Sequence, residues 1–476
     1  MMRSLFSGVA GLKTHQTRMD VIGNNIANVN TTAYKSQSMT FSDLMYQTTQ
    51  AASGANAVTG VGGTNARQIG LGSKTSAIKT AISTQGAAQS TNDPFDIMIT
   101  GSSFFIVSNG IENFFTRDGS FYVDGAGNLA MTSNGYNVMG WQVDPTNENN
   151  IKKDTVSPLR VMTTDNMTYP PEATTMATVS GVIDKYDTDI NSDSGRIMNL
   201  EFYDNQGYKY TARMSIHVSD GDTGEFAVRL DSILDSEGNV VIGPGGASTT
   251  GVSLKVGTAN PVAPTNAPKT GNGLGIATLN YLNGKGTFMN VGEAVPAAGS
   301  TTVGNKVLTL DFDNATFPNF QDVEIDFSST FNYNKNGTST VEALSGDKTG
   351  LGSGRKIGDM SGITVQKDGM IYASYDNGQT RLLGQIAVAN FANPSGLAKE
   401  GDNLYSATMN SGEFDGIGDD ITEDGGYMNS GILEMSNVDL AAEFTEMITT
   451  QRGFQANSRI ITVSDTLLEE LTNLKR

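Results

Sequence analysis

The sequence predicts a mainly β protein with one α-helix at each terminus. Three observations carry that prediction. Gly is abundant, at 55 of 476 residues, and most of the chain is rich in Ser, Thr, Asn and Asp, which suits strands joined by many turns. In the middle of the chain, short aromatic and β-branched runs are cut by Asn-Gly and Asp-Gly dipeptides. At both ends the apolar residues instead recur at helical spacing, and all 12 prolines lie between Pro94 and Pro394, clear of both patterns.

The elements follow in chain order. Leu5, Val9, Leu12, Met19, Ile22, Ile26 and Val29 form an apolar helical stripe. It runs into NNIANVNTTAYK, residues 24–35, where Asn and Thr side chains bond nearby backbone and end the helix. Residues 101–141 read as hairpins turned at Asn109-Gly110, Asp118-Gly119, Asp124-Gly125 and Asn134-Gly135. The same texture returns at 363–409. The stretch 151–355 between them is strand-like, and its Pro- and Gly-rich loop 257–275 marks either a module boundary or a long excursion.

At the C-terminal end Leu440, Met447, Phe454, Ile461 and Leu468 repeat every seven residues, with Ile460, Leu467 and Leu474 as a second row. Ser436 is the expected N-cap, with Asp439 in the first turn. Heptad spacing favours coiled-coil packing, while two amphipathic helices over an ordinary core fit the pattern equally well. An isolated N-terminal helix is marginal and needs a partner. Residues 1–40 carry Arg3, Lys13, Arg18 and Lys35 against Asp20. Residues 436–476 carry six acids against Arg452, Arg459, Lys475 and Arg476. That opposite balance favours pairing of the two ends, though exposed pairs contribute little each.

Composition and motifs narrow the function classes. A net charge of −19 argues against nucleic acid and anionic membranes as partners. With no cysteine there are no disulfides, thiolate metal sites or thiol nucleophiles. His15, Gln16, Arg18 and Asp20 interrupt any secretory h-region, and no run of eighteen apolar residues exists for a membrane span. The two histidines, His15 and His217, lie far apart in sequence and suggest no metal site. DTDINSD, residues 187–193, starts like a calcium loop but has Ser192 where Gly is needed and Met198 where Glu is needed. DGIGDDITEDG, residues 415–425, reads as a solvated turn. No nucleophile elbow or phosphate loop occurs. A chance pair of carboxylates on a β scaffold leaves a secreted enzyme or adhesin as a remote reading, but Trp141 is the only tryptophan. No catalytic, cofactor or metal residue is assigned.

The opening helix with its NNIANVNTTAYK ending closely resembles the start of bacterial flagellar rod and hook axial proteins. SNVDLAAEFTEMITTQRGFQANSRIITVSDTLLEEL, residues 436–471, is similar to the C-terminal signature of that family. Further similarity lies in 68–107, in the hairpins after it, and in 368–412. Together these blocks cover roughly half the chain, in family order. The large insertion 151–355, with PPEATTMATVSGVID and LEFYDNQGYKYTARMSI, resembles the outer domain of hook members rather than the shorter middle of distal-rod members, which remain the alternative. The motif residues carried over are Asn25, Asn28, Thr31, Tyr34 and Lys35, with Gln451, Arg452, Phe454, Gln455 and Asn457 at the far end. One position departs: Ala33 stands where the family usually has Gly, and a required positive φ there would strain it.

The resemblance implies an architecture and a role. Residues 1–35 and 432–476 are expected to pair as a coiled-coil-like helical core, and 36–67 to form a linker. Residues 68–150 with 356–431 are expected as a discontinuous inner β domain, and 151–355 as an outer β domain or two subdomains. Leu5, Val9, Leu12, Met19 and Ile26, with Leu440, Met447, Phe454, Ile461 and Leu468, are the expected core-packing and polymerisation residues. The implied function is structural and not enzymatic: a subunit that polymerises into a curved, flexible tube serving as universal joint between rod and filament. Expected partners are further copies of the chain, the distal rod, cap and hook–filament junction proteins, and the flagellar type III export apparatus. The expected location is the extracellular flagellum, reached without a cleaved signal peptide. Cysteine-based cross-linking, used by some relatives, is ruled out by composition.

Overall fold

The computed structural model describes residues 2–54, 60, 62–220, 222–244, 246, 251–265, 274–282, 284–296 and 302–474. It is mainly β, with a helix at each terminus, Met2–Ala27 and Leu440–Asn473. The C-terminal helix begins later than a Ser436 cap implies. Asp439 is the N-cap, its carboxylate accepting from Ala441 N at 2.9 Å and Ala442 N at 3.3 Å. Ser436 Oγ only accepts from Val438 N at 3.3 Å, so of two eligible caps the acid next to the helix wins.

The chain divides into two compact units, residues 1–166 with 361–374 and 380–476, and residues 167–360 with 375–379. In the first, the segment after the N-terminal motif is a β-ribbon. Gln37–Asp43 pairs antiparallel with Ser73–Thr80, and Tyr46–Gln50 with Arg67–Gly70. Thr, Gln and Ser dominate these strands, and the Tyr46–Gln50 and Arg67–Gly70 pair buries nothing. A two-stranded ribbon of that kind gains little stability by itself.

The body of this unit interleaves distant parts of the chain. Phe104–Ser108 and Asn113–Thr116 form a hairpin through Gly110, whose φ of +91° the Asn-Gly dipeptide supplies. Asn137–Asp144 lies beside Phe104–Ser108 on one side and Thr380–Ile386 on the other. Its core gathers Phe104, Ile106, Phe115, Trp141, Phe391 and Tyr405. The Trp141 indole donates to the carbonyls of Asp154 (3.1 Å) and Ile417 (2.9 Å), so its one polar atom is satisfied. Met428–Ser430 pairs with Ile97–Ile99, and Ile432–Glu434 with Ala88–Ser90. That strap leads directly into the C-terminal helix.

The second unit stacks two sheets. One runs in the order 252–255, 307–312, 323–332, 176–183, 342–345; the other runs 196–203, 209–220, 225–234, 275–281, 288–291. The first sheet contains a parallel pair, 176–183 with 323–332. Alternating strands such as Arg196–Tyr203 turn Met198, Leu200 and Phe202 inward, where one cluster joins them to Leu254, Leu310 and Ile325 of the other sheet. Of the loop 257–275, residues 266–273 lie outside the described residues.

Candidate functional site

The two terminal helices meet along a seam in which glycines lie against larger side chains. On the N-terminal helix Gly8, Gly11, Thr14, Val21, Ile22 and Asn25 are buried. On the C-terminal helix the buried residues are Thr450 and Ser464. A Cβ at Gly11 would come within 2.7 Å of the Asn457 amide, and one at Gly453 within 2.7 Å of the His15 ring. Glycine at these two places therefore lets the backbones approach closely. Arg18 Nη2 pairs with Glu446 Oε1 at 2.5 Å across the seam.

Of the ten expected packing residues Ile461 lies against Gly8, where an added Cβ would come within 3.2 Å of its Cγ1. Leu5, Leu12, Met19 and Ile26 are half-buried, as are Met447, Phe454, Ile461 and Leu468. Val9 is 48% exposed and Leu440 39%. Gln451, Arg452 and Gln455 face solvent, while Asn457 lies in the seam against Gly11.

The ending of the N-terminal helix is a bonded corner. Asn25 is fully buried. Its Nδ2 donates to Gln37 O and to Glu443 Oε1, both at 2.8 Å, and its Oδ1 accepts from Gln37 N at 2.9 Å and from the Tyr34 hydroxyl at 3.3 Å. It ties the helix end to the start of the ribbon and to the other terminal helix. Asn24 donates to the Tyr34 oxygen at 3.0 Å. Asn28 donates back to Asn24 O at 2.9 Å and accepts from Thr31 Oγ1 at 3.1 Å. The Lys399 ammonium lies 5.0 Å from the centre of the Tyr34 ring. Burial raises the Glu443 carboxyl above its ordinary value, and the Asn25 bond opposes that rise.

Lys35 turns inward. Its Nζ donates to Glu434 Oε1 and Thr84 O, both at 2.7 Å. Burial lowers its pKa, Glu434 raises it, and Arg117 lowers it further. The sequence did not single out Glu434, Arg117 or Asn437. Asn437 Oδ1 accepts from Ser36 N at 2.7 Å, and its amide donates to Ala81 and Thr84 carbonyls. A lysine in a motif otherwise made of uncharged residues was the one signal that an acid must answer it.

Ala33 has φ +53° and is buried, so the departure from glycine falls at a left-handed position. Its N–H donates to Glu434 O at 2.8 Å, which fixes that conformation. Relieving the Cβ clash gains about 1–2 kcal/mol, less about 0.4–1 kcal/mol for a freer unfolded chain. Ala33→Gly should therefore raise the melting midpoint of the first unit by a few degrees. A lower midpoint would show that the strain is relieved locally.

The other candidates are occupied by the protein itself. Asp187 accepts from Asp189 N and Ser339 N, and Asp184 from Tyr186, Lys335 and Gly337 N, which leaves these carboxylates turned to backbone. Asp420 bonds Lys153, Thr422 and Gln385. His217 is buried, its Nε2 3.0 Å from Ser215 Oγ. Among the described residues no cluster of three or more metal-ligating acids and histidines forms. No described helix is long and apolar enough to cross a membrane.

Comparison with known proteins meets this geometry at both ends. Residues 5–35 match a model described as flagella basal body rod protein, and 429–474 one described as flagellar basal body rod FlgEFG protein C-terminal. Residues 98–180 match a flagellar hook protein FlgE/F/G D1 domain model. The flagellar hook protein FlgE of Borreliella burgdorferi is 35% identical, and that of Treponema pallidum 32%, each over 100% of both chains. The flagellar basal-body rod protein FlgG of Bacillus subtilis is 28% identical over the same share. A crystal structure of flagellar hook protein FlgE2 from Helicobacter pylori covers 73% of this chain and 100% of its own, with 14% identity and a TM-score of 0.40. On the two full-length relatives above 30% identity, the chain belongs to the flagellar hook protein family.

Proposed function

We propose that the chain is the structural subunit of a flagellar hook, polymerising through its terminal helices into a curved tube that transmits torque as a universal joint. The observation that carries the polymerisation step is what the seam leaves over. The two helices approach closely at Gly8, Gly11 and Gly453, while Phe6, Val9, Phe444, Ile448, Val463, Leu467 and Leu471 remain exposed. An apolar surface of that kind calls for further protein. The same surface repeated on every copy with a helical offset gives a non-closing interface, hence a filament.

Bending needs contacts that form and break as the tube turns. Polar, Gly-, Asn- and Ser-rich surfaces on the outer part of the chain suit that better than large apolar patches would. Further expected partners are the distal rod protein, the cap and the hook–filament junction proteins, with delivery by the type III export apparatus to the extracellular flagellum. Packing of the helices as a coiled coil within the tube belongs to this reading. The full-length relative named as a rod protein keeps a rod subunit as the second reading. Electron microscopy of concentrated protein separates them. Curved or supercoiled tubes are expected; straight tubes would favour the rod, and no tubes would overturn assembly altogether.

A further inference from the structure

Three ionisable side chains are buried together where the two terminal helices join the β body of the first unit. Lys35, Arg117 and Glu434 each expose 1% of their side chain. Lys35 Nζ is 2.7 Å from Glu434 Oε1, and Arg117 Nη1 is 3.7 Å from Oε2. Arg117 also donates to Gly101 O. Lys35 follows the N-terminal helix, and Glu434 sits on the strap just before the C-terminal one, 399 residues away in sequence.

Two cations thus share one carboxylate. The acid next to Arg117 in the chain, Asp118, is turned to Thr32 Oγ1 and Ser120 N. A third cation stands close by, since Lys399 Nζ donates to Lys35 O at 3.3 Å. Glu434 does more than balance charge. Its Oε1 accepts from Gly86 N at 2.8 Å, its carbonyl accepts from Ala33 N at 2.8 Å, and its strand pairs with Ala88–Ser90. Both ends of the chain are bonded to this one residue. Burial disfavours the charged forms of Lys35 and Arg117, Arg117 adds to the difficulty of Lys35, and Glu434 opposes both effects. Removing the shared anion would leave two buried like charges uncompensated.

We infer that Glu434 is a latch: the N-terminal exit, residues 31–36, closes only when the strap before the C-terminal helix delivers its carboxylate, so the roots of both helices lock in one step. A chain whose C-terminal part has not yet arrived presents Lys35 and Arg117 without their anion and leaves its N-terminal exit open. That consequence for assembly rests on the polymerisation reading above; the coupling itself does not.

The test is amide hydrogen exchange on the soluble full-length chain, which needs no tubes and so fails or succeeds independently of assembly. The wild-type chain should protect 31–36, 86–90 and 432–437. Glu434→Gln should accelerate exchange in all three segments together, by about 100-fold or more, while strand 225–234 of the second unit keeps its protection. Glu434→Asp, which keeps the charge but shortens the reach, should give a smaller acceleration in the same three segments. Combining Lys35→Met with Glu434→Gln should recover part of the protection, because one stranded cation is gone. Acceleration confined to Gly86, unprotected wild-type segments, or a double variant worse than Glu434→Gln alone would each overturn the latch.

Discussion

Asn25→Ala is expected to free the end of the N-terminal helix from both the ribbon and the C-terminal helix, at a cost of about 3–5 kcal/mol. The magnitude comes from what is left behind. Truncation to a methyl would abandon the Gln37 N–H, the Gln37 carbonyl and the Glu443 carboxylate, all of which Asn25 now bonds within 2.9 Å. A buried donor or acceptor left unpaired costs about 1–3 kcal/mol, more for a charged group. Faster amide exchange at Gln37 and across 439–450 is the readout. A change limited to residues 24–28 would show that Asn25 is only a local cap.

The same variant should show a steeper pH dependence than the wild type. Burial already raises the Glu443 carboxyl above its ordinary value, and the Asn25 bond is the influence that most opposes this. Without that bond the folded value rises further. A carboxyl whose folded pKa lies above its unfolded one stabilises the fold below the unfolded value and loses that contribution as pH rises through the folded one. Arg18 pulls the group toward ionisation, while Glu446 and Asp439 push against it. The docking defect of Asn25→Ala should therefore be smaller at about pH 4.5 than at about pH 7.5. Asn25→Asp should be worse than Asn25→Ala at the higher pH, because it sets a second carboxylate against Glu443, and should recover more in acid.

What was legible depended on how local the signal is. The two helices follow from apolar spacing, and the hairpin at Asn109-Gly110 from a dipeptide that meets a positive φ without strain. Ala33 was legible as a departure from glycine, and its φ gives that departure a physical cost. The seam was not legible, because heptad reasoning looks for large apolar residues. Here Gly8, Gly11 and Gly453 make close approach possible, with Ile461 against Gly8, Asn457 against Gly11 and His15 against Gly453. The cap was misplaced because Ser436 and Asp439 are both eligible, and only the start of the helix at Leu440 decides between them. Glu434 could not be paired with Lys35 from sequence, since nothing local names a partner 399 residues distant.

Phe454→Asp should abolish tube formation while the second unit melts as in the wild type. Phe454 lies in the seven-residue row and is half-buried within one chain. In the soluble chain an aspartate there can keep its charge in water, so the loss of stability should stay modest. In a tube the exposed half of the row must be covered by neighbouring copies, and the carboxylate would then be desolvated without a partner. That penalty recurs at every subunit, whereas the apolar gain it replaces, about 1.5–3 kcal/mol for a fully buried Phe, disappears with it. Ile448→Asp sharpens the argument, because Ile448 is 59% exposed and contributes little to the fold of a single chain. It should leave the melting of both units unchanged and still block tubes in electron microscopy. Normal tubes from both variants would mean that this flank faces solvent in the polymer and that other surfaces drive assembly.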